Sequence, residues 1–259
     1  MDTKMKPLLS AFCIALLLSG CSSIPQNEHH DDNLLASFNI NDYRVIDLSH
    51  VQSEDMPAAS VLKLPEQDFF MSIEEGDDYN IEVISYAPHT GTHVDAPYHV
   101  IQDGITVERF DPTVLIGKAN VISLAVSGDY QITLSDIQKW ELVNGNIKQG
   151  EGVLFDTKQD AFWSLDNERY IENGYPTLSV EAAQYLANIG IDYIGVESIS
   201  PDGPEPQSHR VLLEKGILVV ENLKDLDKIG SPKTFVIGTI PAVEGASGAW
   251  VRLLAFEPI

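Results

Sequence analysis

The chain predicts an α/β fold, a single domain on one mixed sheet, and three observations carry that expectation. Short runs rich in β-branched and aromatic residues alternate with segments of helical pattern, the alternation continues to the C-terminus, and no shift in composition divides the body in two. Its 259 residues, 44% apolar and 21% charged, are enough to bury one large core.

The N-terminus is set aside first. Lys4 and Lys6 precede an apolar run from Pro7 to Leu18, too short to span a membrane and ordered like a secretory signal over residues 1–20. The run ends in Leu18-Ser19-Gly20-Cys21, which resembles the bacterial lipobox and implies lipidation of Cys21. Lipid on Cys21 would anchor the protein to a membrane without a spanning helix. Ser22, by resemblance to Gram-negative lipoproteins, implies the outer membrane, facing the periplasm. Residues 21–40 then read as lipidated cysteine and flexible tether, with His29-His30-Asp31-Asp32 a solvated spacer or a weak metal site.

Two cysteines occur, Cys13 in the signal and Cys21 at its end, so the body at 41–259 is expected to carry no thiol. That excludes disulfides, thiolate zinc ligands and a cysteine nucleophile there. A formal charge of −23, from 16 basic against 39 acidic residues, argues against nucleic acid as a partner.

Within the body, "YRVIDL", "YNIEVISYA", "KANVISLAV", "GVLFDT", "IDYIGV", "GILVVENL", "TFVIGTI" and "AWVRLLAF" read as strands. "TLSDIQKW" opens a helix at a Thr133 cap with Asp136 three residues on, and "SVEAAQYLANIG" runs from a Ser179 cap to a Gly190 stop. A third helix, "QSHRVLLEKG", ends at Gly216 before the strand that carries Glu221. Phe69, Phe70, Tyr98 and Trp250 read as core, with an aromatic pocket lining as the other use.

The chemistry concentrates in "HTGTHVDAPYH", His89 to His99, which holds three of the seven histidines. Gly91, Pro97 and the β-branched residues oppose a helix, so the segment reads as an irregular turn followed by a short extended piece. His93 and Asp95, two apart, project from one face of it, and His99 returns by a bend. Such a cluster is either a surface turn hydrogen-bonded to backbone or a divalent-cation site. A cation would bind neutral imidazole and ionised carboxylate together and relieve their mutual cost.

The same undecapeptide resembles the signature of the cyclase-like metal-dependent hydrolases, the family of bacterial kynurenine formamidase and isatin hydrolase, His-x-Gly-Thr-His-x-Asp-x-Pro-x-His. His89, Gly91, Thr92, His93, Asp95, Pro97 and His99 meet every specified position. The resemblance extends over most of Tyr43 to Phe256, through "YRVIDLSH", "IGVESISPD" and "GASGAWVRLLAF". It implies the swivelling β/β/α fold and a homodimer. It also implies that His209 and Glu221, twelve residues apart, are ligands. About six helical residues advance ~9 Å and the returning strand covers ~16 Å, so the two side chains can converge.

Carried over, the resemblance makes His89, His93 and Asp95 ligands of a first ion and His209 of a second. Asp95 and Glu221 would bridge them, and His99 would remain free as the acid/base. Two divalent ions per subunit, zinc or manganese for this mixed N/O set, would lower the pKa of a water toward neutrality. The expected activity is therefore hydrolysis of an amide or lactam C–N bond in a small, aromatic or cyclic substrate, such as an isatin-like lactam or an N-formyl arylamine. The family often has Met-Pro-x-Trp near its start; here Met56-Pro57-Ala58-Ala59 puts alanine at the tryptophan position, and Glu197 stands where aspartate is commoner. A non-catalytic envelope lipoprotein that binds metal or ligand on the same fold is the competing reading.

Overall fold

The computed structural model describes residues 39–259 apart from 125, 127 and 164–166. The signal, Cys21 and all but the last two residues of the tether lie outside the described residues.

One sheet organises the body. Among the described residues, nine strands run in the order β1-β13-β11-β5-β7-β9-β10-β4-β12. These are β1 (Tyr43–Asp47), β4 (His93–Asp95), β5 (Ile116–Ser123), β7 (Gly152–Asp156), β9 (Tyr193–Val196), β10 (Leu218–Glu221), β11 (Lys233–Thr239), β12 (Gly248–Trp250) and β13 (Arg252–Pro258). The central β5-β7-β9-β10 block is parallel, and antiparallel pairs extend it on both sides. Parallel strands are covered on both faces, which explains why "GVLFD" and "LVVE" are buried at every position.

Among the described residues, three helices cover one face. α1 (Leu134–Asn144) starts at the Thr133–Asp136 capping box, α2 (Val180–Ile189) starts at Ser179 and stops at Gly190, and α3 (Gln207–Leu213) follows a proline-rich loop. Ile137, Ala183, Leu186 and Leu212 pack there on Val153, Phe155, Ile194 and Val219. Leu154, Tyr193, Leu218 and Val220 point the other way and meet Val121, Val236, Leu253 and Ala255 across the curled sheet. Each fully buried leucine or isoleucine adds about 2 kcal/mol to folding.

"AWVRLLAF" forms two strands rather than one. The chain breaks at Val251, whose N–H donates to Thr92 O at 3.2 Å. β12 then closes one edge of the sheet beside β4, while β13 pairs with β1 and β11 near the other. Two strands one residue apart can sit at opposite ends of the order because the sheet curls until its ends approach.

Two smaller pairings accompany it. β6 (Gln131–Ile132) and β8 (Thr177–Leu178) are parallel, and β2 (Glu66–Met71) and β3 (Ile81–Ser85) form an antiparallel hairpin. The core reading of Phe69 and Phe70 is corrected: they lie on this hairpin at 61% and 72% exposure, with Ile73, Tyr79, Val83 and Ile84 also exposed. Alternation marked β3 and not β2, and no layer of the described structure covers the hairpin. Tyr98 is likewise exposed, and Trp250 is half-buried, stacked on Tyr86 at 3.7 Å.

Candidate metal centre

Three local features bring the histidine-rich segment to one point. The turn before β4 needs glycine at 91, where φ is +62° and a Cβ would lie 1.7 Å from Gln52 Oε1. β4 then pairs with β10, setting His93 opposite Glu221, and with β12, setting Asp95 opposite Gly248. A Cβ on Gly248 would stand 2.7 Å from His89 Cε1, so glycine leaves that imidazole its room. Finally, a 3-10 turn at Pro97–His99 folds His99 back over His89, with ring centroids 3.9 Å apart.

α3 and β10 deliver the remaining two groups. His209 Nε2 lies 3.1 Å from Asp95 Oδ2 and 3.0 Å from Glu221 Oε1. His93 Nε2 lies 3.3 Å from both Asp95 Oδ1 and Glu221 Oε2. His89 Nδ1–H donates to Asp95 Oδ1 at 2.7 Å, and Ser247 Oγ sits 2.8 Å from its Nε2. All six site residues predicted within the body therefore meet around Asp95. His93, Asp95, His209 and Glu221 are buried, His89 is half-buried, and His99 reaches solvent at the mouth.

Ligand atoms fall into two groups, His93, Asp95 and Glu221 in one and His89, Asp95 and His99 in the other, each within 4.8 Å. Asp95 belongs to both, as a bridging residue would. The grouping differs from the partition that the resemblance implies: β-ladder pairing joins His93 to Glu221, and the 3-10 turn sets His99 beside His89.

Backbone and loop groups fix which nitrogen of each inner imidazole faces the carboxylates. His93 Nδ1–H donates to Gly91 O at 2.8 Å, leaving Nε2 aimed inward. His209 Nδ1–H donates to Asp202 Oδ2 at 2.8 Å, and Asp202 also accepts the backbone N–H groups of Ser208 and His209. This carboxylate–histidine arrangement is how metal-binding imidazoles are commonly oriented. Sequence reasoning missed Asp202 and Ser247 as site residues. Asp202 carried one weak signal, an acidic residue in the loop just before the helix of His209.

The electrostatics fit a cation. Burial opposes charge on His93, yet Asp95 and Glu221 outweigh it and raise the imidazole to about 10. Burial likewise opposes charge on His209, but Asp202, Asp95 and Glu221 raise it well above the ordinary value. Asp95 is held well below the usual carboxylate range against its own burial, by His93, His209 and His89. Two buried atoms there, His93 Nε2 and Glu221 Oε1, have no hydrogen-bond partner. A buried site that pulls positive charge inward and leaves an imidazole nitrogen and a carboxylate oxygen without a hydrogen-bond partner suits a divalent ion.

Residues 46–203 match the family model described as "Putative cyclase". The chain belongs to the cyclase family. It is 31% identical over 184 residues to a kynurenine formamidase of Bacillus cereus, spanning 70% of this chain and 82% of that protein. Cyclase-like protein 3 of Oryza sativa subsp. japonica is 30% identical over 236 residues, covering 83% and 80%. Among solved structures, isatin hydrolase A from Ralstonia solanacearum superposes with a TM-score of 0.79 at 25% identity, covering 92% of this chain and all of that one. The mixed α/β architecture with its curled sheet is thus the cyclase fold.

Proposed function

We propose that this cyclase-family protein is a metal-dependent hydrolase of an amide or lactam C–N bond in a small substrate. The observation that carries the reading is the convergence of three imidazoles, His89, His93 and His209, with Asp95 and Glu221, beside a fourth imidazole at the solvent side. His93, Asp95, Glu221, His209 and His89 would hold the metal, one ion or two, zinc or manganese by ligand type. When bound, such an ion supplies Lewis-acid polarisation of a carbonyl and makes a nearby water more acidic.

The chain's own residues do the rest. Partial burial lowers the His99 imidazole below its ordinary value, so it is neutral at physiological pH and can accept a proton. His99 takes that proton from the attacking water and returns it to the departing nitrogen as the C–N bond breaks. Asp202 and Gly91 O hold His209 and His93 in the tautomer that keeps Nε2 directed at the carboxylates. Isatin-like lactams and N-formyl arylamines are the leading substrates, because the chain is similar to a kynurenine formamidase in sequence and to an isatin hydrolase in structure. Met56 and Ala58 are buried, and no tryptophan follows Pro57, so the lactam is favoured over N-formylkynurenine.

Export as a lipoprotein lipidated on Cys21 and tethered at the outer membrane is part of the same proposal, resting on Leu18-Ser19-Gly20-Cys21. Cys21→Ser should release the protein from membranes. A homodimer is supported by the β2–β3 hairpin, since an isolated two-stranded hairpin is marginal in water and this one exposes Phe69, Phe70 and Val83.

The test is turnover of isatin and of N-formylkynurenine by the purified full chain loaded with zinc or manganese. Hydrolysis of either supports the reading. Metal binding without hydrolysis across an amide panel, equal in wild type and His99→Ala, would favour the non-catalytic binding protein.

A further inference from the structure

One polar arrangement beside the cluster is not used by the ligand set. Asn222 follows Glu221 directly, is 2% exposed, and has φ of 56°. A non-glycine residue in the left-handed region is uncommon, and asparagine tolerates it best. Its side chain joins two segments distant in sequence. Nδ2–H donates to Gly91 O at 2.7 Å, and Oδ1 lies 2.8 Å from the hydroxyl of Tyr170. Because Gly91 O can only accept, the amide orientation is fixed.

Gly91 O is the same oxygen that receives His93 Nδ1–H. The neighbouring residue is clamped to the same place, since Thr92 Oγ1–H donates to Asn222 O at 2.6 Å and accepts the His50 N–H at 2.9 Å. Tyr170 is wholly buried in a π-helical turn, Glu168–Glu172, and its hydroxyl also touches Glu197 O. π-turns are rare and recur at functional sites.

We propose that Asn222, braced by Tyr170, is a positioning residue for His93: it holds the Gly91 carbonyl in place, and that carbonyl keeps the Nδ1 proton of His93 engaged and its Nε2 aimed at Asp95 and Glu221. The claim rests on reading the cluster as a cation site. The requirement for asparagine follows from three simultaneous demands, a left-handed backbone, a donor for Gly91 O and an acceptor for Tyr170. Glycine meets the first alone, and aspartate lacks the donor.

The test uses the full chain labelled with 15N-histidine, in wild type, Asn222→Gly, which keeps the backbone conformation, and Tyr170→Phe. Zinc and manganese affinities come from competition with a chromophoric chelator, and the solvent exchange of the His93 and His209 Nδ1 protons from NMR. Asn222→Gly should weaken metal binding by ~10- to 100-fold, the cost typical of outer-shell partners, with Tyr170→Phe smaller in the same direction. Exchange at His93 should quicken while exchange at His209, held independently by Asp202, stays as in wild type. Affinity and His93 exchange indistinguishable from wild type in both variants would overturn the proposal. So would equal quickening at His93 and His209, the mark of general loosening. Should the wild type bind neither metal, the cation reading fails, and the exchange comparison alone still decides the positioning claim.

Discussion

Two buried carboxylate centres lie one strand apart and behave oppositely. Glu221 ends β10 with Asp95 beside it, and Glu197 follows the end of the adjacent parallel strand β9. Glu197 Oε2 accepts from the N–H of Thr157, the hydroxyl of Thr157 and the N–H of Gln159, while its Oε1 has no partner. Burial, then the nearby charge of Asp160, pushes its carboxyl up to about 8, so it is protonated at neutral pH. Asp95 is as deeply buried, yet the imidazoles around it keep it ionised. Strand ends bring acids together in both places; only the imidazoles turn one of them into a place for a cation.

The largest break in that contrast comes from removing an inner imidazole. His93→Ala takes away one of the imidazoles that face Asp95 and Glu221, leaving His209 against both carboxylates and His89 against Asp95. Metal affinity should fall by more than the ~10- to 100-fold typical of outer-shell changes, read as metal content after dialysis. Next is His99→Ala, which should lower kcat by roughly 100- to 10,000-fold with metal content unchanged. Loss of metal in that variant would instead make His99 a ligand, as its closeness to His89 and Asp95 allows. Asp202→Asn weakens the brace on His209 and should cost ~10-fold or more in metal affinity in a chelator competition.

A separate effect, on stability and not on metal, belongs to the other centre. Glu197 has its ordinary value near 4.5 when unfolded and about 8 when folded. Its contribution to stability is complete below the lower value and is lost as pH rises through the upper one, because the unfolded chain gives up the proton first. Glu197→Gln has no proton to lose there. Urea midpoints should therefore fall less for the variant than for wild type between about pH 5 and about pH 8, by a few kcal/mol in stability. Parallel curves would show that Glu197 is ionised in the fold.

What the sequence revealed follows the range of the interactions involved. Thr133–Asp136 and Ser179 with Gly190 mark helix ends through contacts within a few residues, and the structure has those caps. His89, His93, Asp95 and His99 were legible together because one turn and one short strand place them. His209 and Glu221 needed the family resemblance, since only the tertiary meeting of α3, β10 and β4 joins them to the turn. Asp202 was barely legible, as an acidic residue in the loop before α3 does not by itself say that it faces His209. The β2–β3 hairpin misled because large aromatic side chains are usually buried, whereas Phe69 and Phe70 are exposed. The break at Val251 depends on a curled sheet whose ends approach, which no window of residues contains.

The central claim is that Asp95 gathers these side chains around a divalent cation. Its most direct measurement is the metal content of the purified full chain after exposure to zinc or manganese and exhaustive dialysis, beside Asp95→Ala. Retained metal in the wild type and none in the variant is the predicted result. Wild-type protein that emerges from dialysis without metal would contradict it.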